Sequence, residues 1–233
     1  MPSLTPLVFI PGLLCNQTLW NGQVAGLSPF VDMVFADVTK QETIAEMAAA
    51  VLKQAPAYFS LAGFSLGSQV ALEIMRTCPD RVERLALLSA THGGMLPAVA
   101  NSIRHAIETI EQGGFSSYLE AIYPTYVSAA HGIDLALKRC FIEMAWAVGE
   151  EAGLRQMRAL LAIKGPFSNL DQICCPTVII GGRDDHRTTP AAHEMLAQEI
   201  PGSELVLVEG AAHFAPLESP DIVTEAIRRW AIR

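Results

Sequence analysis

Gly63-Phe-Ser-Leu-Gly67 sets a serine between two glycines, a Gly-x-Ser-x-Gly stretch. With Gly and Ser each near 7% of residues, such a match arises by chance in roughly 8% of chains this long, so the motif needs its surroundings. It falls where an apolar run gives way to a helical stretch, and a tight strand-to-helix turn there would expose the serine hydroxyl. Serine is a poor nucleophile near neutral pH and needs a base within hydrogen-bond reach, itself oriented by an acid. His213, in Glu209-Gly-Ala-Ala-His-Phe214, follows another apolar run, and its small neighbours leave room for an imidazole to approach Ser65. Gly181-Gly-Arg-Asp-Asp185 follows a third and offers two carboxylates, Asp184 and Asp185. Such a set could attack an acyl carbonyl, which also requires two donors for the oxyanion. The backbone N–H of Leu66, next to the serine, is one. The loop Pro11-Gly-Leu-Leu-Cys15 offers the other, with Leu13 the first candidate.

Other reactive residue types have plainer readings. The six histidines form neither HxH nor HExxH, and the five cysteines have no CxxC or zinc-type spacing, so no metal is expected. His186 and His193 are read as solvated side chains on a polar loop and helix, and His92 as a candidate for the mouth of a pocket. Cys15 is read as a small packing residue. An odd number of scattered cysteines predicts reduced thiols in a cytoplasmic protein. No phosphate-cradling glycine loop or dinucleotide fingerprint occurs, so no cofactor is expected.

The elements that must position these residues follow from the hydrophobic pattern. Apolar runs at residues 7–10, 31–35, 58–62 and 85–89 alternate with helical stretches, the signature of a parallel sheet covered on both faces. From about residue 99 to 163 the period is helical throughout, with Ile103, Ile107 and Ile110 on one face, then Leu137, Phe141, Met144 and Val148, then Leu154, Met157 and Leu161. Strand-like runs return at 177–180 and 204–208. Ser219-Pro220-Asp221 opens a last helix that closes on Arg228 and Arg229. The expected organisation is an α/β core of residues 1–93 and 170–233, interrupted by a helical insert at 94–169. The insert carries Phe115, Tyr118, Tyr123, Tyr126, Phe141 and Trp146, most of them to fill its contact with the core and some to face an apolar ligand. Its Arg104, Lys138, Arg139, Arg155 and Arg158 are read as solvated helix faces, with recognition of a carboxylate or carrier-protein phosphate as the alternative.

Composition sets the outer bounds. The chain has 233 residues, 51% hydrophobic and 17% charged, the opposite of a disordered balance. A net charge of −8 would on average repel a phosphate backbone or anionic membrane, so neither nucleic acid nor membrane is expected as a partner. No apolar run reaches membrane-spanning length, and the apolar beginning lacks a basic stretch and is broken by Pro6, Pro11 and Gly12, against a signal peptide.

Taken together, Leu7-Val-Phe-Ile-Pro-Gly-Leu-Leu14, Leu61-Ala-Gly-Phe-Ser-Leu-Gly-Ser68, Val178-Ile-Ile-Gly-Gly-Arg-Asp-Asp185 and Val208-Glu-Gly-Ala-Ala-His-Phe-Ala-Pro-Leu-Glu-Ser-Pro220 resemble the α/β-hydrolase superfamily, over nearly the whole chain. The closing stretch looks like that of small cap-bearing serine esterases. The resemblance implies Ser65 as nucleophile, His213 as base, and Asp185 as acid through the family's Gly-x-x-Asp spacing from Gly182. It makes the helical insert a cap. Pro11-Gly12 stands where relatives commonly carry His-Gly, and the two leading strands usual in the fold are expected to be missing. The implied function is cofactor-free hydrolysis of a small carboxylic ester bearing an apolar group. A thioesterase, lactonase, carbon–carbon hydrolase or perhydrolase on the same triad, or a non-catalytic ligand-binding protein, are the alternatives.

Overall fold

Successive side chains of a strand point to opposite faces, and in Leu7–Ile10 (β1) both sets are apolar and buried. Leu7 and Phe9 join one hydrophobic cluster, Val8 and Ile10 a second on the other side of the sheet. The same alternation runs through the other central strands, so the sheet must be covered on both faces. The computed structural model describes residues 5–92 and 97–232. Its strands are β1, Met33–Phe35 (β2), Phe59–Phe64 (β3), Val82–Leu88 (β4), Thr177–Gly182 (β5) and Glu204–Val208 (β6). They form one six-stranded sheet in the order β2-β1-β3-β4-β5-β6, and every pairing is parallel.

The helices are Asn21–Leu27 (α1), Ile44–Gln54 (α2), Leu66–Thr77 (α3), Pro97–Glu111 (α4), Phe115–Ile122 (α5), Leu135–Val148 (α6), Glu150–Leu161 (α7), Pro190–Glu199 (α8), Ala215–Glu218 (α9) and Pro220–Ile232 (α10). Leu27 of α1 and Val223, Ile227 and Trp230 of α10 pack on the face that Leu7 and Phe9 share. Met47 and Val51 of α2, Val70 and Ile74 of α3, and Leu196 of α8 cover the other. Four helices, α4 to α7, stand between β4 and β5; of the residues placed on their apolar faces, Ile103, Ile110, Phe141, Met144, Leu154 and Met157 are buried, and Ile107, Leu137, Val148 and Leu161 are half-buried. The expected boundary of this insert near Gly94 lies outside the described residues.

β4 begins at Val82, three residues before the apolar run, and two strands run further than the pattern indicates at their carboxyl ends. β3 continues through Gly63 to Phe64, and β5 through Gly181 to Gly182, because neighbouring strands supply the pairing that glycine's own propensity does not. The Gln17–Trp20 turn of 3-10 helix, α1 and α9 were not expected at all; each is too short to display a helical period. The chain order reverses at β1, whose neighbours are β2 on one side and β3 on the other. Ligands of open α/β sheets bind at that point, beyond the carboxyl ends of the strands.

Candidate active site

Ser65 sits at that place, between β3 and α3, with φ 52° and ψ −110°. An L-residue adopts this left-handed backbone only when the surroundings impose it. A side chain at Gly63 would come within 2.4 Å of the Gly67 carbonyl oxygen, and one at Gly67 within 2.2 Å of that of Ile10. Both glycines of the motif are therefore spacing requirements: β1, β3 and α3 meet too closely for a Cβ. The Ser65 N–H donates to Leu88 O at 2.9 Å, and the Ser68 hydroxyl donates to Gly63 O at 2.6 Å. These bonds hold the turn so that the Ser65 side chain is presented half-buried.

His213 follows β6 in a loop where Ala211 and Ala212, just before it, are small and buried. Its Nε2 lies 2.9 Å from Ser65 Oγ, and its Nδ1 lies 2.8 Å from Asp185 Oδ2. The imidazole and its carboxylate partner are shielded from water: Asp185 is 1% exposed and His213 3%. Asp184 is exposed, so the two neighbouring carboxylates are separated by burial as well as by contact. Asp185 also accepts hydrogen bonds from the backbone N–H groups of Arg187 and Thr188, at 2.7 and 3.0 Å, and from the Thr188 hydroxyl at 2.5 Å. Burial opposes its ionisation, but the adjacent His213 and these hydrogen bonds outweigh that, holding the carboxyl well below the usual carboxylate range.

On the other side of Ser65, Leu66 opens α3, where a first-turn N–H has no partner within the helix. The loop after β1 lies against the same turn: a side chain at Gly12 would come within 2.7 Å of the Phe64 ring. Leu14, in the left-handed region at φ 57°, donates its N–H to the buried Oε1 of Gln156 at 3.0 Å. Leu13, beside it on this loop, is half-buried. A serine, imidazole and buried carboxylate in hydrogen-bonded series can attack an acyl group.

Against known proteins, the chain matches the alpha/beta hydrolase family over residues 7–226. It belongs to that family. It is 28% identical to the "Putative carbamate hydrolase RutD" of Klebsiella pneumoniae subsp. pneumoniae over 177 residues, which cover 74% of this chain and 65% of that protein. This chain thus spans just under two thirds of that relative. It is 23% identical to the pimeloyl-[acyl-carrier protein] methyl ester esterase of Nitrosomonas europaea, covering 92% of this chain and 91% of the relative. Among solved structures, a thermophilic esterase from Thermogutta terrifontis superposes with a TM-score of 0.84 at 24% identity, over 98% of this chain and 89% of that one.

Within this alpha/beta hydrolase frame, several residues to which the sequence analysis gave no role support the series. The Ser89 hydroxyl donates to His213 O at 2.8 Å. The carboxylate of Glu218, its side chain wholly buried, accepts from the N–H groups of Ala212 at 3.0 Å and Ser128 at 2.7 Å. It thereby ties the loop of His213 to the helical insert. Gln156 also reaches from the insert, and its Nε2 donates to Val38 O at 3.3 Å. Only Glu218 had a signal, the Glu-Ser-Pro that precedes the last helix.

Other expectations are sorted by the fold. His186 is exposed, whereas His193, expected in solvent, is wholly buried on the inner face of α8 with its ring against Gly181. His92 is half-buried, and its carbonyl accepts from the Phe167 N–H. Cys15 is buried, and burial pushes its thiol far up from the ordinary cysteine range, as a packing residue requires. All five cysteines are free. Among the basic residues of the insert, Lys138 pairs with Glu120, Arg155 with Glu151 and Arg158 with Glu111. Arg139 lines a cleft of about 530 Å³ with Asn16, Cys140 and Glu143, and Ser65, Asp185 and His213 take no part in its walls. No helix among the described residues is long and apolar enough to cross a membrane, and no three of their His, Cys, Asp or Glu side chains converge as a metal site would require.

Proposed function

We propose that this chain is a serine hydrolase of small carboxylic esters. The observation that carries the reading is the position of His213, with one ring nitrogen on Ser65 Oγ and the other on a buried, ionised Asp185. Neutral His213 takes the proton as Ser65 Oγ bonds to the ester carbonyl carbon, and Asp185 stabilises the imidazolium that forms. The carbonyl oxygen, now an anion, is held by the N–H groups of Leu66 and Leu13. Collapse returns the proton from His213 to the leaving alcohol and leaves an acyl-enzyme. Water, deprotonated by His213, then releases the acid and regenerates Ser65. The names of two relatives, a methyl ester esterase and a carbamate hydrolase, both describe a carbonyl that bears a heteroatom leaving group.

The four helices between β4 and β5 act as a cap over this site. The ring of Tyr126, on the connection between α5 and α6, lies 5.2 Å from that of His213, and the core residue Phe64 lies 5.4 Å from it on its own side. Phe141 and Phe214 extend the same aromatic wall. These buried rings make the surroundings of His213 apolar, which supports an ester with an apolar segment next to the scissile bond.

A fluorophosphonate probe tests the nucleophile. Wild-type protein should be labelled stoichiometrically at Ser65, and Ser65→Ala should fold normally, escape labelling and lose ester turnover by about 10³-fold or more. Unlabelled wild-type protein at any probe concentration would sink the reading in favour of a binding role.

A further inference from the structure

Arg187 stands two residues beyond Asp185 and is left unused by the mechanism above. Its backbone N–H donates to Asp185 Oδ1, which fixes where its side chain begins. The guanidinium carbon lies 4.4 Å from the centre of the Tyr126 ring, and that ring in turn lies beside His213. The cation therefore sits at the seam between the acid loop and the helical insert, half-buried and close to the triad. Seven other basic residues, Arg76, Lys138, Arg155, Arg158, Arg183, Arg228 and Arg229, each pair with a glutamate. Among the described residues no carboxylate forms an ion pair with the Arg187 guanidinium. One long hydrogen bond, 3.5 Å to Thr125 Oγ1, is all its guanidinium makes.

A guanidinium has five N–H donors in a planar fork that matches a carboxylate, so most of this fork is open. Its charge acts on the hydroxyls of Tyr118 and Tyr126, drawing their ionisation back down against the burial that pushes it up. A chain of net charge −8 holds off an anionic substrate unless a local cation receives it. We propose that Arg187 binds a carboxylate on the substrate, so that the ester taken by Ser65 is a half-ester: one end esterified, the other anionic, and a short apolar chain between them against Tyr126 and Phe64. This rests on the hydrolase reading for its chemistry. It departs from the expectation that any carboxylate recognition would come from the basic residues on the insert helices, three of which are already paired.

The test compares monoethyl esters of succinate, glutarate and adipate with the matching diethyl esters. Wild-type kcat/KM should favour at least one half-ester, and Arg187→Gln should lower it for that half-ester about ten- to a hundredfold, with a far smaller fall for the diethyl ester. Arg187→Lys, which keeps the charge but not the fork, should fall between. Glutarate or adipate alone should raise the wild-type Tm and leave that of Arg187→Gln unmoved. Equal losses on both esters, with no dicarboxylate effect on the wild-type Tm, would make Arg187 a latch on Tyr126 and overturn the proposal. If no ester is turned over but the dicarboxylate shift depends on Arg187, the anion site stands and the hydrolase reading falls.

Discussion

Asp184 and Asp185 differ by one position and nothing else in composition, yet their environments are opposite. Asp185 is buried, receives four hydrogen bonds from the backbone and hydroxyl of its own loop and from His213, and keeps its charge despite desolvation. Asp184 faces solvent. Asparagine keeps the shape of aspartate and removes its charge, and an imidazole deprived of its carboxylate takes the wrong tautomer, which costs about 10⁴ in kcat in the serine-protease case. Asp185→Asn should therefore cut ester turnover by several orders of magnitude, and Asp184→Asn by less than about tenfold. Steady-state kinetics on one ester checks both. The reverse ranking would move the acid to Asp184, and two mild phenotypes would remove it from this loop altogether.

At the scale of elements, the site is assembled from both sides of the helical insert. The core supplies Ser65, Asp185 and His213 at three strand ends. The insert supplies Gln156, from α7, to the loop after β1, and Tyr126 to the surroundings of His213. Gln156 matters because Leu14 holds a left-handed backbone that costs energy, and its N–H needs an acceptor in a buried place. Gln156→Met keeps the size and removes that acceptor. The loop should relax and misplace the Leu13 N–H, lowering kcat by about ten- to a hundredfold with KM changed much less, as expected for an interaction made in the transition state. An unchanged kcat would show that the loop after β1 holds its form without the insert, or that Leu13 is not a donor to the oxyanion.

At the scale of the whole molecule, buried ionisable groups set how stability depends on pH. His193 is enclosed between α8 and β5, and burial lowers its pKa from 6.5 to about 4. Between those values the unfolded chain takes up a proton that the folded chain refuses, so stability falls as pH drops through this window and levels off below it. The loss amounts to about 3 kcal/mol in full, at 1.36 kcal/mol for each unit. Asp185 acts in a separate window: its folded pKa is depressed, so its contribution is present above the ordinary aspartate value near 3.9 and is lost only in stronger acid. Urea unfolding of wild type and His193→Met at pH 7, 5.5 and 4.5 should give a shallower pH slope for the variant. Parallel slopes would mean that His193 is reached by water in the folded state.

The strands, the run of helices between β4 and β5, and the turns that carry Ser65 and His213 were legible in the sequence because each rests on a local signal. Apolar alternation marks a strand from its own residues, and a serine between glycines after such a strand marks a tight turn. The preference for Asp185 over Asp184 came from the spacing of the family that the chain resembles, since the residues themselves offered both carboxylates. Interactions between segments far apart in the chain were not legible. Nothing around His193 indicates burial, since its helix has polar neighbours and the covering surface belongs to β5. Gln156 and Leu14 are 142 residues apart, and Arg187 meets Tyr126 only because the insert folds back over the acid loop. Local pattern reports what a segment can form, while burial, pairing and an unpaired charge are properties of whatever the completed fold brings against it.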